Sequence, residues 1–510
     1  MLHEASVLKD SYKDSVRLLE ATRAMQSTDG VDYGWAVMAT EANLETLQSE
    51  GFSLIEGAAA NDLVLAVRAD DAVVIEAAID TAKRALFSAT TRADDSTPAV
   101  ERLQDALRVQ PDSNVAIISV PGPYAALETH KALTAGLDVL LFSDNVPLED
   151  EIDLKQRARA LGRLVMGPGA GTAMLAGTGL AFANRVTPGP VGIVAAAGTG
   201  AQEVMSLLDR WGIGISHVIG LGGRDLNADV GGLMAMSAIE ALEANDATEA
   251  ILFVSKPPAP EVAERLLSTT RSKPMVAAMI GLREELHGVA EGITVCNTLE
   301  QGAVLTAHAL GAQVPDLIGN TADEVAIAMM ALAPERRRLV GLFSGGTICY
   351  EAMTIATEHI GPIHSNTPLD KSWTLPAPDG SHVCLDLGEE EYTVGRPHPM
   401  IDPEARIQWL VDQAHDPTVG VVLLDVVIGD GAHADPGGLL APAAKKVIES
   451  GAAVVAYVLG THSDPQNFSA QQQILRSAGC IVAETAARAA LAAAAIVNRD
   501  PALVHHDPAS

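Results

Sequence analysis

Two strings put glycine and threonine where an apolar strand gives way to a helix: VGIVAAAGTG at 191–200 and VGLFSGGT at 340–347. At such a junction the first amide N–H groups have no intrahelical acceptor, and the aligned peptide dipoles leave partial positive charge. A turn of this kind holds a phosphate or an acyl phosphate, and glycine leaves room for a ligand oxygen to approach the backbone. The spacing predicts phosphate-binding residues Gly198, Thr199 and Gly200 in the first string and Gly345, Gly346 and Thr347 in the second. A further loop, GLGGRD at 220–225, brings Gly222, Gly223, Arg224 and Asp225 to a strand end, where open α/β sheets bind ligands. Its plain structural reading is a tight turn capped by Asp225.

Groups able to move a proton or orient an anion come from two other strings. In GRPHP, Arg396 offers a planar fork for phosphate or carboxylate and His398 a titratable imidazole, held extended by its flanking prolines. Asp425, Asp430 and His433 lie at and just beyond the end of a long apolar run at 419–429 and are expected to face one crevice. Arg396, His398, Asp425 and His433 are therefore the expected catalytic set. His287, in LHGVAEG, is a further candidate whose ordinary reading is a loop histidine. Cys349 follows the second turn, where a helix dipole would lower its pKa, although a small buried core residue fits the position equally. No metal-ligand spacing is present, and no metal is expected.

The elements that must carry these residues alternate strand and helix. Apolar spacing predicts a helix over 14–25, a strand over 33–40, a second helix, a strand over 63–69 and a helix over 72–86. Together they make a ferredoxin-like α+β domain over 1–95, closed by the linker TRADDSTPA at 91–99. Strands at 114–120, 137–143 and 162–167 predict a Rossmann-like half-domain over 100–186. Two further α/β domains follow, over 187–330 and 335–510, the second with a polar insertion at 361–403 that suits a site better than a core.

Composition excludes several classes. The 510 residues are 48% hydrophobic and only 3% aromatic with 44 glycines, as in alanine- and valine-rich α/β proteins. With 65 acidic against 34 basic residues, the net charge of −31 argues against nucleic acid or anionic membrane as partner. Four scattered cysteines without a CxxC pair read as reduced thiols of a cytoplasmic protein. The acidic N-terminal stretch is unlike a signal peptide, and the alanine-rich run at 486–497 reads as a buried helix.

The order of these strings resembles the succinyl-CoA synthetase superfamily, and within it the FdrA family. IISVPGPY (117–124), LLFSDNVPLED (140–150), VMGPGAGT (165–172), VGIVAAAGTG, GLGGRD and TEAILFV (248–254) are similar to the α subunit of such ligases. LFSGGTICYEA (342–352), DLGEEEYTVGRPHPMIDP (386–403) and LLDVVIGDGAHADPGG (423–438) look specifically FdrA-like. The resemblance implies α/β architecture of the succinyl-CoA synthetase type, with a CoA-binding-type half-domain and two flavodoxin-like CoA-ligase-type domains. It implies a subunit of a hetero-oligomeric carbamoyltransferase of allantoin catabolism, moving a carbamoyl group between carbamoyl phosphate and an oxamate-like acceptor. The alternatives are an ADP-forming acyl-CoA synthetase subunit without its own ATP-grasp domain and a non-catalytic allosteric or scaffold subunit. Three departures qualify the transfer: no TGxxG loop for CoA precedes Ile117; the ligases' phosphohistidine and its supporting glutamate are matched only by the string around His287 and by Lys256; and no string of an ATP-grasp domain is found. An acyl phosphate is thus the expected substrate and no cofactor is assigned, CoA included.

Overall fold

A computed structural model describes residues 1–13, 15–53, 57–87, 100, 102–282, 288–393 and 396–508; His287 lies outside them. The chain divides into two compact units, one of 1–99 with 389–399 and one of 100–388 with 400–510.

The first unit runs β1 (Leu2–Leu8), α1 (Ser15–Gln26), β2 (Val31–Met38), α2 (Glu41–Ser49), β3 (Leu63–Ala69) and α3 (Ala72–Phe87). β3 is central and pairs antiparallel with β1 and β2. α3 forms because Ile75, Ala78, Ile79, Ala82 and Leu86 repeat at helical spacing, and all five are buried. Sequence reading missed β1: LHEASVL mixes charge into a short strand whose first three residues are exposed, so pairing with β3 defines it and burial does not.

The second unit begins with α4 (Leu103–Val109), β4 (Val115–Ile118), α5 (Gly122–Thr134), β5 (Asp138–Leu141), α6 (Leu148–Ala160) and β6 (Val165–Met166), whose strands form a parallel sheet in that order. The stretch read as irregular is a hairpin, β7 (Thr172–Leu175) and β8 (Thr178–Ala181), laid on the edge of the next sheet. That sheet continues with β9 (Pro188–Ala195), α7 (Gly198–Arg210), β10 (Ile215–Gly220), α8 (Leu233–Ala244), β11 (Ala250–Ser255), α9 (Pro260–Leu267), β12 (Met275–Met279), β13 (Ile293–Cys296) and α10 (Leu299–Ala309). Its order, β13-β12-β11-β9-β10-β7-β8, places β9 at the switch point of a flavodoxin-like arrangement.

After α11 (Thr321–Ala331) the pattern recurs: β14 (Arg338–Phe343), α12 (Gly346–Ile360), β15 (Ile363–Ser365), β16 (His382–Asp386), α13 (Glu390–Thr393, within the first unit), α14 (Glu404–Ala414), β17 (Val419–Val427), α15 (Pro436–Glu449), β18 (Ala453–Leu459), α16 (Phe468–Ser477), β19 (Ile481–Ala483) and α17 (Ala486–Asn498). The sheet order β15-β16-β14-β17-β18-β19 repeats the first, with β14 at the switch point and β15 added outside. The polar insertion therefore splits: β15 and β16 extend a sheet, and 389–399 belongs to the first unit. Every residue of β17 is buried, as a central parallel strand covered on both faces requires. One apolar cluster draws on α7, α10, α12 and α17, so the two repeats share a core. Among the described residues no helix is long and apolar enough to cross a membrane.

Candidate anion-binding site

Both glycine strings form the expected strand–turn–helix junctions, but the chain fills one of them itself. At the start of α12 the N–H groups of Ser344 and Gly345 donate to the Asp425 carboxylate at 2.8 and 2.7 Å, and the Ser344 hydroxyl lies 3.1 Å from each carboxylate oxygen. Asp425 is wholly buried on β17 and pairs at 3.0 Å with Arg406 of α14. Arg406 is also buried and donates to the carbonyls of Asp425 and Leu342. A Cβ on Gly346 would collide with the Asp386 carboxylate. Two carboxylates thus occupy the positive end of α12, where an exogenous anion would have to sit. Asp425, expected as a catalytic group, is an internal capping anion: burial and Arg406 remove it from any reactant.

The start of α7 is different. The N–H groups of Gly198, Thr199 and Gly200 have no acceptor among the described residues, and the N-cap Ala197 has no side chain to supply one. Gly198 is exposed, and a Cβ there would meet only Thr172 Oγ1, at 3.6 Å. The position equivalent to Asp425 on the neighbouring strand is Val254, which presents a carbonyl to Ala196 at 3.0 Å and no carboxylate. The two helix starts abut. Thr347 N–H donates to Thr199 Oγ1 at 3.3 Å, and a Cβ on Gly200 or Gly345 would come within 2.9 Å of Thr347 or Thr199 respectively.

The remaining expected residues are accounted for elsewhere. Gly222 adopts φ +78°, and a Cβ there would strike the Pro168 carbonyl, so packing demands the glycine, while Gly223 faces open space. Arg224 donates to Val146 O at 2.7 Å and pairs with Glu151 at 2.9 Å. Asp225 accepts from Met234 and Ala235 at the start of α8 and from buried Lys155, so it caps that helix and not the turn it closes. His433 does not share a crevice with Asp425: its Nδ1 accepts from Asp435 N–H at 3.0 Å and its own N–H donates to Met400 O, shaping the approach to α15. Asp430 pairs with Arg185. Arg396 and His398 belong to the first unit, where the Arg396 guanidinium lies 5.2 Å over the Trp35 ring and donates to Thr46 at 2.9 Å. Burial pushes the Cys349 thiol well above its ordinary range, the reverse of a dipole-activated nucleophile. Lys256 is exposed, its ammonium 4.7 Å over the ring of Tyr350 on α12.

Sequence reading missed Arg406, the counter-charge on a helix distant in sequence from β17. It also missed Glu203 and Glu351, although each stands four residues after the threonine of its repeat.

Comparison with known proteins adds the following. Residues 342–496 match the CoA-ligase family, 186–280 the CoA binding domain, and 1–101 the domain described as AllF, heavy metal-associated. The matched residues 1–101 contain no cysteine and one histidine, His3, whose ring bonds to Gly51 O. At the loop after β4 a Cβ on Gly122 would strike the Asp144 and Asn145 carbonyls, so close packing fixes that glycine. The chain is similar to the Archaeoglobus fulgidus succinate–CoA ligase [ADP-forming] subunit alpha 2, 29% identical over 192 residues, covering 36% of the chain and 64%, just under two thirds, of that subunit. A solved acetyl-coenzyme A synthetase 1 of Ca. Korarchaeum cryptofilum is 16% identical over 77% of the chain and 84% of its own, with a TM-score of 0.27. The Escherichia coli K12 protein described as uncharacterized protein YahF is 37% identical over 498 residues, 95% of the chain and 96% of that protein. With its matches to the CoA-ligase and CoA binding domain families, the chain belongs to the YahF family of the succinyl-CoA synthetase superfamily.

Proposed function

We propose that the chain is the phosphoryl-binding subunit of an acyl-CoA synthetase-like enzyme of the acid–thiol ligase class, with the start of α7 holding the phosphoryl end of an acyl phosphate. The observation that carries this reading is the asymmetry of the two turns: one presents three N–H groups without acceptors, the other is neutralised by Asp425 and Asp386. Donors fixed before the ligand arrives stabilise charge on a departing phosphate without reorganising. Relatives named as ligase subunits support a partner chain, which would supply the activated acyl group. Carbamoyl transfer from carbamoyl phosphate, which the FdrA resemblance implies, would use the same turn with another acceptor.

The test is phosphate release from acyl phosphates by the purified chain with its partner subunits, one arm containing CoA and the other carbamoyl phosphate with oxamate. The reading expects turnover in the CoA arm, reduced roughly 10²-fold or more by Gly198→Val, whose branched side chain fills the space a phosphoryl oxygen needs to reach the N–H donors. Turnover in the oxamate arm alone would assign the carbamoyl reading instead. Silence in both arms, or a Gly198→Val enzyme as active as wild type, would remove the α7 turn from the chemistry.

A further inference from the structure

Glu203 on α7 and Glu351 on α12 occupy matching places in the two repeats, and each is buried and reaches into the other repeat. Glu351 accepts the Leu299 N–H at 2.6 Å, the first amide of α10, which closes the first repeat. Glu203 accepts the Ala486 N–H at 3.3 Å, the first amide of α17, which closes the second. Each helix that begins with a glycine turn thus caps the last helix of the opposite half.

The charges at this seam do not balance. Glu203 also accepts the Tyr457 hydroxyl of β18 at 2.5 Å and lies near Arg210 of its own helix, whose guanidinium bonds to Tyr457 and the Glu484 carbonyl. Glu300 of α10 takes Arg488 of α17 in a two-oxygen pair, together with the Thr485 hydroxyl. Among the described residues Glu351 has no cation: it faces Glu203, Glu300 and the thiol of Cys296 on β13, and its Oε2 is buried without a hydrogen-bond partner there. Three carboxyls therefore share one full ion pair and one adjacent guanidinium. An isolated buried carboxylate is far costlier than the neutral acid.

We propose that Glu203 and Glu351 form a proton-linked latch between the two repeats: neutral, they hold the halves closed with Thr199 against Thr347, and ionised, they loosen the seam and part the two turns. Burial pushes Glu203 up to about 7, and burial with its acidic neighbours pushes Glu351 well above the carboxylate range. A carboxyl raised in the folded state holds a proton that the unfolded chain has released. Its stabilisation is complete below the unfolded value and is lost as pH rises through the folded one. For Glu203 the window runs from the ordinary glutamate range to about 7, and for Glu351 it likewise starts at that range and runs well above it. The latch governs the site assigned above, but its stability arm does not depend on that assignment.

The test is urea unfolding of the full chain from pH 5.5 to 8.5 for wild type, Glu203→Gln and Glu351→Gln; glutamine keeps an oxygen for each cap and cannot ionise. Wild type should lose up to about tenfold in the folding equilibrium constant per pH unit per titrating carboxyl. Each variant should flatten its own part of that slope. In wild type, the Leu299 and Ala486 amides should exchange faster at high pH than intrinsic base catalysis explains, a reading that survives if either variant fails to fold. Wild-type stability that is flat or rises over this range, variants that keep the wild-type slope, or pH-insensitive protection of these two amides would overturn the latch. Loss of acyl-phosphate turnover with the slope intact would count against the assigned site alone.

Discussion

Replacing Asp425 by alanine is expected to cripple the fold, because the carboxylate serves the backbone and Arg406 and touches no substrate. It accepts two backbone N–H groups within 2.8 Å and one hydroxyl, and it is the anion of an ion pair whose arginine side chain is 2% exposed. Burial already lowers the pKa of Arg406, with Asp425 opposing the shift, so removing Asp425 strands a desolvated cation. Breaking a buried pair in this way costs about 3–5 kcal/mol, and orphaning a buried donor about 1–3 kcal/mol more, with incomplete additivity. We expect roughly 4 kcal/mol for Asp425→Ala by urea denaturation and about half of that for Asp425→Asn, which keeps an acceptor oxygen. Adding Arg406→Met to Asp425→Asn should recover part of the loss, since no cation is then left unpaired. The reasoning fails if Asp425→Ala loses less than about 1 kcal/mol, or if Asp425→Asn keeps full stability yet abolishes turnover, the behaviour of a catalytic acid.

Other parts of the account are open to simpler checks. Lys155 is fully buried between Glu151 at 2.7 Å and Asp225 at 2.9 Å, so Lys155→Met should cost about 3–5 kcal/mol by urea denaturation; a loss under about 1 kcal/mol would deny the charge argument. Arg396→Ala should weaken the first unit by about 1–2 kcal/mol through the Trp35 and Thr46 contacts, seen as faster hydrogen exchange in β2. Unchanged exchange with lost turnover would return Arg396 to the catalytic set. Burial pushes the thiols of Cys296, Cys384 and Cys480 up to about 12 and raises that of Cys349 well above its ordinary value, so a thiol reagent at pH 8 should modify none of the four until denaturant is added. Prompt labelling of Cys349 would restore it as a nucleophile.

The turns were legible because strand, glycine and helix are adjacent in sequence and the chemistry of a helix start is local. β17 was legible as a run of apolar residues long enough for a central strand. What filled the second turn was not. Asp425 at the end of that strand has the sequence signature of a catalytic acid, and only the register of β17 against β14 brings it to the Ser344 and Gly345 amides. Its partner Arg406 comes from α14, and nothing in the local pattern links the two. GRPHP was distinctive as a string, yet its place in the first unit depends on Arg396 meeting Trp35, a contact no spacing rule reaches. The matching positions of Glu203 and Glu351 are visible as GT-x-x-x-E in both repeats, but the spacing alone carries no signal because helical glutamates are ordinarily solvated.

The most direct measurement is a crystal soaked in tungstate or phosphate, read at both helix starts. The asymmetry described here predicts an oxyanion on the N–H groups of Gly198, Thr199 and Gly200, with the Asp425 carboxylate still in place at Ser344 and Gly345. An anion at Gly345–Thr347 with Asp425 displaced, or an empty first turn at saturating anion, would contradict it.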